Sequence, residues 1–235
     1  MSPRTPAIAE PRTPLSRERV LEAAVAIADR DGLPSLTMRN LAQALGVEAM
    51  SIYHHLPSKE AVLDGMVEMV VAEINETVAS IPPPAPPDEW KDVARRRILV
   101  ARRILLGHPW APAVIESRSA LSPEVIRYFD GLLAILRAGG LSWDLSHHAL
   151  HALGSRALGF SQELFAPDDV EAGEEAAGDL LEQMADHVPN LVGMMAEIAH
   201  DDPGSTLGWC DDQSEFEFGL DLLLDGLDRH RRASL

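Results

Sequence analysis

A stretch of small and polar side chains surrounds one apolar residue at positions 48–54. A helix through this stretch would turn Ile52 inward and leave the other side chains outward. The outward set is Glu48, Ala49, Met50, Ser51, Tyr53 and His54. The N-terminal end of such a helix can enter the major groove of double-stranded DNA. The chemistry predicted here is contact with base edges and phosphate groups.

A helix-turn-helix would position these side chains. It needs a small residue where the two helices meet, which Ala42 supplies, and a residue that tolerates positive φ in the turn, which Gly46 supplies. Apolar anchors with suitable spacing are present at Leu41, Leu45, Val47 and Ile52. Any tight pair of helices can show this pattern, so the spacing alone leaves simple helix packing open.

Two other kinds of chemistry receive little support. His147 and His151 lie four residues apart, with His148 beside them, so one helix could offer two imidazoles to a metal ion. Glu163 lies too far along the chain to act as a third ligand, and polar helix surface or a pH-sensitive contact is the favoured interpretation. No phosphate-binding glycine loop, nucleophile elbow or cysteine beside a base is present. We therefore predict no metal, no cofactor and no enzymatic activity.

The charge is distributed unevenly along the 235 residues. Residues 1–60 carry seven basic and seven acidic side chains, so the whole net charge of −17 lies beyond residue 60. Only the first part can therefore approach a polyanion. No apolar run approaches the roughly 20 residues that span a bilayer, and Cys210 stands alone. These features predict a cytoplasmic protein without a membrane partner.

Aromatic residues make up only 5% of the chain and β-branched runs are few, so we expect an all-α protein. Helix start and stop signals place helices over 16–32, 37–46, 48–55, 58 to about 75, 88–107, 110–117, 122–138, 142–165, 180–199 (with a kink or break at Pro189) and 214–231. Proline clusters predict a disordered arm over 1–15 and a linker over 81–87. The domains would then be a DNA-binding domain over 16–80, with its motif at about 37–56, and a second helical domain over 88–235. The role of the acidic 168–178 segment stays open.

The sequence resembles the tetracycline-repressor (TetR/AcrR) family of bacterial regulators over about residues 16–75. The resemblance is carried by several spaced elements, namely 20–24, Gly32, 36–42, 45–47, 51–56, Lys59-Glu60 and Leu63. Weaker similarity to the C-terminal domain type of the tetracycline repressor lies at 105–108, 132–136, 153–154 and 158–159.

This resemblance implies roles for individual residues in the first domain. Thr37, Tyr53, His55 and Lys59 would contact phosphates, and Arg39 would reach a base edge or a phosphate at the groove rim. Ala49, Met50 and Ser51 would face the bases, with His54 also turned outward. Tyr53 and His55 could instead pack against the bundle, and Met50 could be an inert surface residue.

The sequence departs from the tetracycline repressor itself at two places. A glutamine-type reader and a proline stand there where this chain has Ala49 and Met50, so we expect a different operator. A histidine holds the drug's magnesium ion where this chain has Ile115. An effector of the tetracycline–metal type is therefore not expected.

The resemblance also implies an effector pocket and a dimer in the second domain. The expected pocket residues are Trp110, Val114, Ile115, Phe129, Leu133, His151, Arg156, Phe160 and Glu163. The expected dimer interface consists of Leu145, Ala149, Ala152, Phe216, Leu220, Leu223, Leu224 and Leu227. The alternative for both sets is plain core within one subunit.

The favoured function is a homodimeric, sequence-specific transcriptional regulator that is most simply a repressor, released from a palindromic operator by an unknown small molecule. The alternative is a helical small-molecule-binding or enzymatic domain whose helix-turn-helix mediates protein contacts. Salt dependence separates the two hypotheses, because phosphate contacts make DNA affinity fall steeply with salt.

Overall fold

The computed structural model describes residues 14–85, 87–118, 122–159, 187–190, 192–193 and 212–233, with backbone alone at 155–159 and 212. All regular structure in these residues is helical, which confirms the predicted all-α class. The labelled α-helices are α1 (Arg17–Asp31), α2 (Met38–Leu45), α3 (Ala49–Tyr53), α4 (Lys59–Val78), α5 (Trp90–Gly107), α6 (Ala111–Ser117), α7 (Pro123–Ala138), α8 (Trp143–Gly159) and α9 (Asp212–Ala233). Short 3-10 helices lie at Leu33–Ser35 and Pro87–Glu89.

Serine and threonine caps begin these helices where the sequence predicts them. Ser16 Oγ accepts a hydrogen bond from the Arg19 N–H at 3.2 Å, and Ser122 and Ser142 make the same contact at the starts of α7 and α8. These bonds satisfy backbone donors that have no partner within the helix. Parts of the predicted helices at 142–165 and 180–199, and the 168–178 segment, lie outside the described residues.

Two predicted helices begin or end elsewhere. The expected helix over 48–55 is shorter, because the chain leaves α3 after Tyr53 so that Leu56 can enter the core ahead of Pro57. After Tyr53 the His55 N–H donates to the Ile52 carbonyl at 2.9 Å, a bond of the tighter i to i−3 kind that ends many helices. The helix expected from Asp88 instead starts at Trp90, after the 3-10 turn at Pro87–Glu89.

The chain forms two compact units. The first contains Met1–Glu76 and Arg103–Ile126, and the second contains Thr77–Arg102 and Arg127–Leu235. Residues 103–126 thus pack with the N-terminal helices, although the sequence places them beyond the linker. The boundary expected at 81–87 remains a prediction.

The core of the first unit is built on one face of α4. Val62, Met66, Val70 and Ile74 recur every four residues and are buried, as the periodicity predicts. Helix α1 approaches this face closely at Gly65, where a Cβ atom would lie 2.6 Å from Leu21 Cδ2. The missing side chain therefore allows the contact between the two helices.

The core of the second unit lies among α5, α7, α8 and α9. Trp90 is its largest buried side chain and lies against Gly139, where a Cβ atom would come within 2.3 Å of the indole. Beside the core, Lys91 pairs with Asp225 at 2.8 Å, while Arg95 pairs with Asp221. Since the numbering rises along α5 as it falls along α9, the two helices are antiparallel.

Within the described part of the chain, no single helix has the length and apolar character needed to cross a membrane. Two consecutive helical segments, Pro87–Gly107 and Ala111–Ser117, are together long and apolar enough for a membrane span, but the chain bends by 103° between them.

Candidate nucleic-acid interface and ligand cavities

The turn between α2 and α3 has the geometry that a helix-turn-helix requires. Thr37 Oγ1 accepts a hydrogen bond from the Asn40 N–H at 3.1 Å and begins α2. Gly46 ends it with φ of 66°, in the left-handed region, and the Val47 N–H donates to the Ala42 carbonyl at 3.0 Å. A glycine suits this position because it has no Cβ penalty there.

Helix α3 is anchored by one side chain and exposes the opposite face. Ile52 is 0% exposed, whereas Met50 is 67% exposed and Tyr53 is 40% exposed. His54 is also exposed, while Ala49 and Ser51 are half-buried. Of the three residues predicted to face the bases, Met50 is therefore accessible to solvent and Ala49 and Ser51 are partly accessible.

The side chains expected to contact phosphates are accessible to solvent. Thr37, Arg39, His55 and Lys59 are all exposed. The Thr37 hydroxyl uses an acceptor position in its cap, so its O–H remains able to donate to a phosphate oxygen. Ser58 Oγ accepts from the Ala61 N–H at 3.1 Å and fixes the start of α4, where Lys59 is the first residue.

A polar bridge that sequence reasoning missed fixes α2 against the end of α1. Asn40 Nδ2 donates to the Ser35 carbonyl at 2.8 Å, and Ser35 Oγ donates to the Asp31 carbonyl at 2.9 Å. Both contacts join backbone to a nearby side chain, so a polar residue early in α2 is the only sequence signal for them. They hold Arg39 and the start of α2 in a fixed orientation.

The first unit contains a cavity of about 790 Å³ beside this motif. Two ion pairs lie in its polar walls, since Arg17 pairs with Glu68 at 3.1 Å and Arg118 pairs with Asp64 at 3.2 Å, and Glu60 adds a further negative charge. His55, an expected phosphate contact, lines one side of the cavity, and Ile115 lines another.

Three of the expected pocket residues belong to the first unit. Trp110 and Val114 are buried, and the Trp110 indole N–H donates to Asp29 Oδ1 at 2.6 Å. His108 Nδ1 lies 2.8 Å from the same carboxylate oxygen. Trp110 is thus held in a polar contact with α1, and Ile115 alone of these three lines the described cavity.

The other expected pocket residues belong to the second unit or lie outside the described residues. Phe129 and Leu133 are half-buried and His151 is exposed. Nothing is described of the Arg156 side chain, and Phe160 and Glu163 fall outside the described residues. The assignment of an effector pocket to this set stays a prediction.

A smaller cavity of about 250 Å³ lies between α5 and α7 in the second unit. Its lining residues are Ile81, Pro83, Pro84, Val93, Arg97, Gly131, Ala134, Ile135 and Ala138. Arg97 is the residue that sequence reasoning missed here. Burial lowers the pKa of its guanidinium, and burial raises the pKa of the neighbouring Tyr128 to about 12, which the Arg97 charge opposes.

The imidazole rings of three histidines on α8 lie edge to face against one another. The ring centroids of His147 and His151 are 4.6 Å apart, and those of His147 and His148 are 5.7 Å apart. In the part of the chain that the structure describes, no group of three His, Cys, Asp or Glu side chains is placed to hold a metal ion.

Most residues of the expected dimer interface are buried within the single chain, as the alternative of plain core predicts, and their assignment to an interface stays a prediction. Ala149, Phe216, Leu220, Leu224 and Leu227 are buried among α5, α7, α8 and α9. Leu145 and Leu223 are partly buried against the same core, and Ala152 is half-buried. A side chain already covered by its own chain offers no surface to a second one. The exposed apolar side chains of α9 are instead Phe218, at 63%, and Leu222, at 55%.

Comparison with known proteins covers nearly the whole chain. Residues 20–66 match the family described as bacterial regulatory proteins, tetR family, and residues 83–231 match the tetracyclin repressor-like C-terminal domain. A transcriptional regulator of the helix-turn-helix type from Saccharopolyspora erythraea is 29% identical over 91% of this chain and 84% of its own length. The transcriptional repressor DrrR1 of Streptomyces coeruleorubidus is 29% identical over 93% of this chain and 79% of its own length.

Solved structures give the same result. Apo ActR from Streptomyces coelicolor superposes with a TM-score of 0.76 at 26% identity, covering 95% of this chain and 99% of that one. ActR in complex with actinorhodin gives a TM-score of 0.69 at 25% identity, covering 93% and 99%. The similarity therefore extends to both parts of the molecule.

Proposed function

Because the chain belongs to the tetracycline-repressor (TetR) family and is a ligand-responsive DNA-binding transcriptional regulator, we propose that it is a repressor. It binds a palindromic operator as a homodimer, and a small molecule releases it. The ligand acts by favouring a state in which the two α3 helices no longer match successive major grooves. Its differential affinity for the two states sets the extent of release.

The two-sided character of α3 is the observation that supports this proposal. The helix is anchored at Ile52 and exposes Met50, Tyr53 and His54 on the other side. We propose that Ala49, Met50 and Ser51 face the bases, where methyl and thioether groups offer van der Waals contacts to thymine. Thr37, Tyr53, His55 and Lys59 then contact phosphates, with Arg39 at the groove rim.

A symmetric operator requires two copies of the chain. The exposed face of α9, defined by Phe218 and Leu222, supports a homodimer contact, because adjacent exposed apolar side chains favour association. The two reading helices would then lie about 34–36 Å apart, one turn of DNA.

The first test is selection of bound sequences from a random duplex pool by the purified protein at moderate salt. Enrichment of a near-palindrome is expected. Failure to enrich any sequence, from protein shown to be folded and dimeric, would contradict the proposal and favour a helix-turn-helix that mediates protein contacts.

The second test is the salt dependence of binding to the selected operator. Arg39 and Lys59 provide four cationic phosphate contacts in a dimer, so log K should fall against log salt with a slope of about −4. The Arg39→Ala, Lys59→Ala double variant should lose most of this slope and most of the affinity. Arg96→Ala is the matched control, because Arg96 is exposed in the second unit and, among the described residues, donates to the Asp92 carbonyl of its own helix. Unchanged operator affinity in the double variant would contradict the assigned contacts.

A further inference from the structure

Among the described residues, one arginine on α5 has no hydrogen-bond or ion-pair partner, in contrast to Arg95 and Arg102 on the same helix. On α5, Arg95 pairs with Glu217 at 2.6 Å and with Asp221 at 2.7 Å. Arg102 donates to Gln213 and lies over the Phe216 ring at 4.1 Å. Arg97 lies between these two on the same helix, and among the described residues its Nε is buried without any acceptor.

The cavity of about 250 Å³ between α5 and α7 holds this guanidinium among apolar walls. Ile81, Val93 and Ile135 form much of the lining, and the set of lining residues contains no Asp or Glu. Arg97 is half-buried with its Nε fully buried, and withdrawing a charged group from water without a compensating partner costs free energy. The cavity therefore carries one positive charge that no acidic side chain among its described lining residues neutralises.

Gly131 makes room for the guanidinium. A Cβ atom at this position on α7 would lie 2.6 Å from Arg97 Nη2 and 3.5 Å from Cζ. The absence of a side chain lets the planar group lie against the α7 backbone, where it borders the cavity. Burial lowers the pKa of Arg97, but a guanidinium is so basic that it stays charged at neutral pH.

We propose that this cavity binds a small, mainly apolar organic acid, with its hydrocarbon part against Ile81, Val93 and Ile135 and its carboxylate on the Arg97 guanidinium. Arginine suits a carboxylate because its N–H donors can bind both oxygens. The volume lies just below the 300–1,000 Å³ typical of ligand pockets, which restricts the ligand to about the size of a fused two-ring acid. The claim that such an acid is the effector rests on the proposed function. The claim that the cavity binds such an acid does not.

The test compares 2-naphthoate with its neutral isostere 2-naphthamide on the full-length protein without DNA. Calorimetric titration and thermal unfolding should show that the wild type binds the acid at least tenfold more tightly than the amide. Arg97→Gln should lose this preference, and Arg97→Lys should recover only part of it. Arg96→Gln, which removes an exposed charge from the same helix, should bind as the wild type does.

A second variant keeps the test independent of Arg97 itself. Ala134→Leu fills the cavity from an exposed position on α7 and should abolish binding of the acid without altering the arginine. Equal affinity for acid and amide, or equal affinity of the wild type and Arg97→Gln for the acid, would overturn the proposal. Acid binding that leaves the operator complex intact would establish the site and contradict release by this ligand class.

Discussion

At the scale of single residues, the turn of the helix-turn-helix depends on one backbone conformation. Gly46 has φ of 66°, and a Cβ atom built there meets nothing within 4 Å. The cost of a side chain is therefore conformational and not steric. Gly46 lies between α2 and α3, so we expect strain at this residue to disturb the orientation of the side chains proposed to face the DNA.

We expect Gly46→Ala to lower the free energy of unfolding by about 1–2 kcal/mol, because an L residue is disfavoured in the left-handed region. Gly46→Asn should cost less, since asparagine tolerates this region. Urea unfolding of the purified variants measures the difference. Gly226→Ala in α9 is the control, because that glycine also meets nothing within 4 Å but is helical, and there alanine should stabilise. Equal effects at both sites would refute the explanation.

The Asp29 carboxylate gives a second prediction. It accepts from the Trp110 indole N–H at 2.6 Å and lies 2.8 Å from His108 Nδ1. Asp29→Ala would leave the indole donor of a buried tryptophan without a partner, so we expect a loss of about 1–3 kcal/mol. Asp29→Asn keeps an acceptor oxygen and should restore much of the stability.

The matched control for that variant is Asp31→Ala, which removes an exposed ion pair with Arg30 and should change stability by less than about 0.5 kcal/mol. Thermal unfolding measures both. If Asp29→Asn is as unstable as Asp29→Ala, the hydrogen bond is not the origin of the effect.

These residues also show what a sequence reveals at this scale. The caps at Ser16, Thr37 and Ser122 were predictable, because each acts on a backbone N–H three residues away. The Asp29–Trp110 bond joins residues 81 positions apart, and neither residue type is unusual at its place in the chain. Arg97 was equally inaccessible, since its lack of a partner depends on which residues of α7 lie opposite.

At the scale of elements, α9 shows the limit of hydrophobic periodicity. Its apolar stripe was predicted correctly as a helix face, but periodicity cannot distinguish a face covered by the same chain from one covered by another. The structure places Phe216, Leu220 and Leu224 in the core and leaves Phe218 and Leu222 outside. The deciding information is the packing of α9 against α5, which the sequence does not contain.

The C-terminal end of α9 is fastened by Asp228. Arg231 donates to its Oδ1 from Nε at 3.0 Å and from Nη2 at 2.8 Å, and also donates from Nη1 to the Gly139 carbonyl at 3.1 Å. Burial alone would raise the pKa of Asp228, but the hydrogen bonds and charge of Arg231, with the charges of Arg232 and Lys91, outweigh it and lower the pKa below 3.8. The folded state therefore favours the ionised carboxylate.

The sign of the pH dependence follows from that shift. Because the folded pKa is below the unfolded value, the contribution of Asp228 is complete above about pH 4 and is lost as the pH falls through the folded pKa. Asp228→Asn should lose about 2–3 kcal/mol at pH 7, and this deficit should shrink below pH 3.8. Melting temperatures between pH 2.5 and 7 measure it. Asp225→Asn, which breaks the more exposed pair with Lys91, is the control and should cost less at pH 7. A deficit that does not change with pH would contradict this account.

At the scale of the whole molecule, the charge distribution indicates which part of the chain can approach DNA. The first 60 residues are neutral and the remainder carries the entire net charge of −17. One copy therefore has little non-specific attraction for DNA, and we infer that operator binding depends on doubling the contacts in a dimer. The family and its fold were predictable from spaced motifs, whereas the exposure of Phe218 and Leu222, on which the proposed dimer contact rests, required the packed structure.

The proposed homodimer gives the last prediction. Burial of a large apolar side chain contributes about 1.5–3 kcal/mol, so Phe218→Ser with Leu222→Ser should raise the dimer dissociation constant at least about a hundredfold. Sedimentation at several concentrations measures this change, and operator affinity should fall with it, since a monomer makes half of the phosphate contacts. Leu106→Ser is the control, because Leu106 is 55% exposed in the first unit and should leave the dimer intact. If the double variant is folded and still dimeric, the dimer contact lies on another surface. If the wild type is monomeric and still selects a palindrome, two monomers must bind the operator side by side.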